Sequence, residues 1–209
     1  MQNMIERIGA LNQIGFQVFT STGANTYTPT AGTTLALVLL WASGGGGGST
    51  NSAVIWGNGG GGGAFTMDIV ANPTAVTINI GTGGTGGVKN NGTAGTDGGD
   101  TTYNSTQIVA KGGTHAANGV SAGGAGGQAA SGTGAVKLSG GQGGSNANGS
   151  TAFIAGGGSS PGNIPFPMLS PGAGASPANS GAGGSAGNLT VDASNGGSGY
   201  AVVIEFRSS

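Results

Sequence analysis

The chain has no cysteine, so neither a disulfide framework nor a thiolate metal site can be built from it. Charge is nearly as scarce. Of 209 residues, five are Lys or Arg and six are Asp or Glu, leaving a net charge of −1. A basic surface for nucleic acid or an anionic bilayer is therefore missing, and no nucleic-acid partner is expected. Low charge also removes the charge-driven route to disorder. No apolar run approaches the roughly 20 residues of a membrane-spanning helix; the longest strongly apolar stretch, 35–42, has eight. Residues 1–15 hold Glu6 and Arg7 at their centre and do not read as an export signal, so synthesis in a cytoplasm without a signal peptide is expected. Bulky apolar residues are missing from the middle: only 13 of 46 fall within 81–187. A conventional core can form from the two ends of the chain but not from its centre.

What is abundant is glycine, 51 residues. Between 81 and 187 it recurs three apart in bursts: Gly81, Gly84 and Gly87; Gly123 and Gly126; Gly124 and Gly127; Gly140 and Gly143; Gly141 and Gly144; Gly181, Gly184 and Gly187. A period of three matches the left-handed threefold helix, which has no hydrogen bonds within itself. The frame breaks too often, with too few prolines, for collagen. Such helices can approach closely where glycine faces glycine and satisfy their peptide groups laterally. The expectation is a packed polyglycine II-type bundle rather than a flexible linker, because strand-like pieces at 106–110 and 135–138 interrupt it.

The flanking regions alternate with period two. Residues 16–20, 65–70, 76–80 and 200–206 read as half-buried strands, and 35–42, apolar on both faces, reads as a central strand covered on each side. Leu189 and Val191 suggest a further strand. The fold class is mainly β: a small antiparallel sandwich from 16–80 and 188–209, with 81–187 inserted as a long glycine-rich excursion. The last strand is expected beside 35–42. Ile5, Ile8 and Leu11, at helical spacing within 1–15, are expected near the axis of a homotrimer, that segment serving for attachment.

Motifs that would carry chemistry are weak. Residues 81–86 fit the dinucleotide pattern Gly-x-Gly-x-x-Gly, but the glycine-rich residues 87–99 cannot form the helix whose N-terminus would hold a pyrophosphate. Asp97-Gly-Gly-Asp100 occurs once and reads as a turn rather than a calcium repeat. His115, the only histidine, has no carboxylate or nucleophile beside it in sequence. No catalytic, cofactor or metal residue is assigned, and no enzyme is expected. Residues 160–172 differ from the rest of the middle, placing Ile164, Phe166, Met168 and Leu169 among prolines. They read either as a stiff apolar recognition loop, with Phe153 as a neighbour, or as a lid packed on the bundle or on a neighbouring subunit.

A resemblance rests on ordered landmarks: Phe19-Thr-Ser-Thr-Gly23, Tyr27-Thr-Pro29, Ala31-Gly32, and an apolar strand from Leu37 running into Gly44–Gly48. Next come Gly59–Phe65, Ile78-Asn-Ile-Gly-Thr-Gly-Gly84, Ala110-Lys-Gly-Gly113 and the closing Gly196–Phe206. This order resembles the glycine-rich domain of bacteriophage tail-fibre proteins, and the middle resembles the polyglycine bundle of fibre-tip adhesins. The resemblance implies a virion structural protein in the tail or fibre, with two partners: a host-surface glycan or outer-membrane protein, and neighbouring tail or baseplate proteins. Competing readings are an ice-binding polyglycine protein and a capsid-decorating protein without receptor role.

Overall fold

The computed structural model describes residues 11–50, 56–89, 91–118, 123–145, 156 and 180–208. Among these residues nine strands form two antiparallel sheets: β1 (Leu11–Phe19), β2 (Gly23–Tyr27), β3 (Thr33–Trp41), β4 (Phe65–Ala71), β5 (Val76–Ile80), β6 (Thr101–Tyr103), β7 (Ile108–Ala110), β8 (Val136–Leu138) and β9 (Tyr200–Ser208). One sheet runs β1-β9-β3-β4-β8 and the other β2-β5-β6-β7. The last strand lies between β1 and β3, pairing Val38 with Val203 and Leu40 with Ala201, as its clean alternation suggested. The core between the sheets joins Val38, Leu40, Ala201 and Val203 to Tyr27, Ile78, Ile80, Tyr103 and Ile108. Tyr27 and Tyr103 meet there with ring centroids 6.0 Å apart. Leu189 and Val191 stand in a turn rather than a strand, held by Asn188, whose Oδ1 accepts the amides of Thr190 and Val191.

Alternation in the larger sheet runs opposite to the usual sense. On β9 the inward residues are Ala201, Val203 and Glu205, all buried, while Tyr200, Val202, Ile204 and Phe206 face outward. On β4, Thr66 and Val70 point in and Phe65, Met67 and Ile69 point out, a reversal of the half-buried strand expected from sequence. β3 is central, as expected, but only its inner side meets a second sheet. Across the outer side, register aligns apolar rows: Phe16, Ile204, Leu37 and Ile69 in one, Val18, Val202, Leu39, Met67 and Val136 in the next. Trp41 stacks on Tyr200 at 4.3 Å in the row beyond.

Among the described residues Glu205 is the one fully buried carboxylate, 1% exposed. Gln17 Nε2, the Tyr27 hydroxyl and the Thr30 amide donate to its Oε1 at 3.0–3.1 Å, and the Thr30 hydroxyl donates to Oε2 at 2.6 Å. Burial by itself pushes this carboxyl up, but donation from Thr30, Tyr27 and Gln17 wins and holds it below the usual carboxylate range. Burial, and then the bond to Glu205, push the Tyr27 hydroxyl far above its ordinary value.

Candidate functional site

From the end of the sandwich a second structure rises, made of extended glycine-rich segments that are neither helix nor sheet. Segment 42–50 is its axis. Every amide from Ala42 to Ser49 donates to a backbone carbonyl of another segment at 2.9–3.2 Å, in strict rotation. Residues 42, 45 and 48 bond segment 56–64; residues 43, 46 and 49 bond 93–100; residues 44 and 47 bond 192–199. Its carbonyls rotate likewise: Ser43 and Gly46 accept from 111–118, Gly44 and Gly47 from 81–88, Gly45 and Gly48 from 180–188. One threefold segment thus has six hydrogen-bonded neighbours, the lateral packing of polyglycine II. Segment 56–64 bonds 111–118, 123–128, 139–145 and 180–188 as well as the axis.

Consecutive glycines follow from this geometry. A Cβ on Gly44, Gly45, Gly46, Gly47 or Gly48 would lie 1.8–2.2 Å from the carbonyl oxygen of a surrounding segment. No neighbour can yield, because each is itself backbone. The period-three glycines line the contacts of the outer segments: Gly84 and Gly87 donate to Gly44 and Gly47, Gly124 and Gly127 to Gly59 and Gly62, Gly184 and Gly187 to Gly45 and Gly48. The bundle also takes in the runs 44–48 and 59–63, which sequence alone placed with the sandwich, while the excursion 81–187 contributes β6, β7 and β8 to the sheets.

At the perimeter an amide has no further segment to meet, and short polar side chains take over. Thr96 Oγ1 accepts from the Thr85 amide at 2.8 Å, Thr93 Oγ1 from Val88 at 2.7 Å, Asn195 Oδ1 from Gly86 at 2.8 Å and Asp192 Oδ1 from Lys89 at 2.7 Å. Asp97 and Asp100, expected in a turn, lie on the extended segment 93–100 and accept the amides of His115 and Gly112. Segments 93–100 and 111–118 run antiparallel, which brings Asp97 within 2.6 Å of His115 Nδ1 and pairs Asp100 with Lys111 beside a shallow cleft of about 280 Å³. Burial pushes Asp97 up, but the His115 amide and ring outweigh it and leave its carboxyl below the ordinary value. Residues 81–86 form part of an extended segment, with Gly81 and Gly84 turned inward.

The segments alternate in direction, so their connections collect at two ends. Farthest from the sandwich stand residues 88, 89, 91–93, Asn118, Ser145 and 188–192, tied together by Asn118 Nδ2 on the Gly92 carbonyl at 2.7 Å and the Ser49 hydroxyl on the Val88 carbonyl at 2.7 Å. Val88, Lys89 and Thr190 are exposed at this tip. A backbone hydrogen-bonded stalk thus presents a cluster of turns at one end, where sequence can vary at little cost to the bonds beneath. Among the described residues no three His, Asp or Glu side chains converge to hold a metal ion. The residues expected at a recognition loop, Phe153, Ile164, Phe166, Met168 and Leu169, lie outside the described residues, as do Ile5 and Ile8. Leu11 opens β1. The nearest described neighbours of that loop are Gly156, packed against Gly183, and Ser180; both stand on the half of the bundle nearer the sandwich.

The fold is a β-sandwich whose strands lead into a polyglycine bundle. The sequence model of the glycine-rich domain family matches residues 20–206, and the chain belongs to that family. No curated protein matches the sequence.

Proposed function

We propose that this chain is a bacteriophage virion protein, a tail-fibre or fibre-tip component that adheres to the host cell surface. The observation that carries the reading is the tip: turns gathered at one end of a stalk whose interior is backbone hydrogen-bonded to six sides. Among the described residues the tip carries one lysine and one aspartate, Lys89 and Asp192, so recognition would rest mainly on shape and on the hydroxyl and amide groups of Thr, Asn and Ser. Such groups suit a glycan or the outer loops of a membrane protein. The sandwich end would then face the rest of the particle, in contact with other tail or baseplate proteins. The ordered landmarks from Phe19 to Phe206 support the phage setting by resemblance.

Two sets of variants in the parent phage test this. Lys89→Glu with Thr190→Arg alters the tip, and Phe166→Ser with Met168→Ser alters the apolar loop. Loss of adsorption to host cells by either set, with virion assembly and thermal unfolding unchanged, supports adhesion and says which end carries it. Normal adsorption by both sets contradicts it.

A further inference from the structure

We propose that the outer face of the five-stranded sheet is a self-association interface, covered by the same face of a second copy of this chain across a two-fold axis. The inference rests on the fold alone and does not depend on the host-adhesion reading. Among the described residues seven large hydrophobic side chains are exposed, and six of them share this face: Ile14, Phe16, Val18, Ile69, Val136 and Leu138. Phe16 is 74% exposed and Ile69 60%. A strand apolar on both sides is the pattern of a strand buried on both sides. β3 has that pattern, yet the second sheet covers it once. β9 carries the same message, since it gives its smaller residues to the core and its larger ones to the outside.

The chemistry of the occupant follows from the face. Among the described residues its aligned rows contain no charged side chain, because Asp68, Lys137 and Glu205 stand on the inner side with Val38, Thr66 and Ala36. A charged or strongly polar partner would lose its hydration there without compensation. The face is instead complementary to itself, which is what a two-fold, isologous contact requires. Sheets stack face to face about 10 Å apart with interdigitated side chains. Four strands of seven residues and the three residues of β8, spaced by about 4.8 Å and rising about 3.4 Å each, give a face of roughly 500 Å². Two such faces bury roughly 1,000 Å², the level that separates specific interfaces from incidental ones.

The test is the solution mass of the full chain at micromolar concentration by light scattering, beside a Phe16→Glu, Ile69→Glu variant. Both positions are exposed, so the variant should keep the thermal unfolding of the separate protomer. The expected masses are twice 19.4 kDa for the native chain and 19.4 kDa for the variant. A native monomer, a native trimer, or a variant that stays dimeric overturns the proposal. So does a native monomer that dimerises only after residues 1–10 are removed, which would give the face to that segment.

Discussion

Gly46 shows how much a single hydrogen atom decides. Replacing it by alanine would set a Cβ 1.8 Å from the Thr85 carbonyl oxygen, and segment 81–88 is fixed by its own bonds to the axis. We expect Gly46→Ala to cost about 4 kcal/mol or more, among the largest effects of a point change. Gly32 is the control. It sits at φ +84° with nothing within 4 Å of a built Cβ, so Gly32→Ala should cost only about 1–2 kcal/mol of backbone strain. Differential scanning calorimetry of the two variants separates packing from conformational strain. At Glu205 the expectation concerns pH. Its folded carboxyl titrates below the free value of about 4.3, so its contribution to stability is full above that value and is lost as pH falls through the folded one. Glu205→Gln should flatten the loss of thermal stability between about pH 5 and 3, and should lower stability at pH 7 by about 2 kcal/mol. An unchanged acid limb in the variant would show that the carboxylate is not the group responsible.

At the scale of elements, the bundle has an inside rule and an outside rule. Inside, amides mostly meet carbonyls and positions 44–48 of the axis admit only glycine; outside, amides meet Thr, Ser, Asn or Asp oxygens. Thr96→Val removes the acceptor for the Thr85 amide while keeping shape, and Asn195→Ala does the same for Gly86. Each should cost about 1 kcal/mol, read as a lowered urea midpoint with unchanged slope. The periods that produce these elements were legible. Alternation located β4, β5, β9 and the later half of β1, whose first half (11–15) reads in sequence as part of an attachment segment. The spacing of three identified the threefold segments at 81–87, 123–127, 140–144 and 181–187 but not the axis 42–50. What alternation could not say was which side faced in, because period two is blind to sign. On β9 the side carrying Tyr200 and Phe206 has the greater apolar volume, yet Ala201 and Val203 fit the space beneath Tyr27 and Tyr103. Glu205 as an interior residue was equally invisible. Its partners Thr30 and Gln17 stand 175 and 188 residues away, and no local signal joins them. The same holds for Asp97 and His115, which meet only because two extended segments run antiparallel at one register.

The whole molecule combines two ways of excluding water. The sandwich buries side chains, and the bundle buries backbone, with Ala42, Ile80 and Ala110 joining one to the other where strands run on into glycine segments. Because segments 42–50 and 192–199 continue β3 and β9, stalk and sandwich should unfold together in one transition. Whether the glycine-rich region is a bonded solid or a loose linker decides the rest of the account. Native-state amide hydrogen exchange resolved at Gly44–Gly48 and Gly60–Gly63 measures this most directly. We predict protection matching that of the β3 amides, with exchange limited by global unfolding. Exchange of these glycines within minutes, while β3 stays protected, would contradict it.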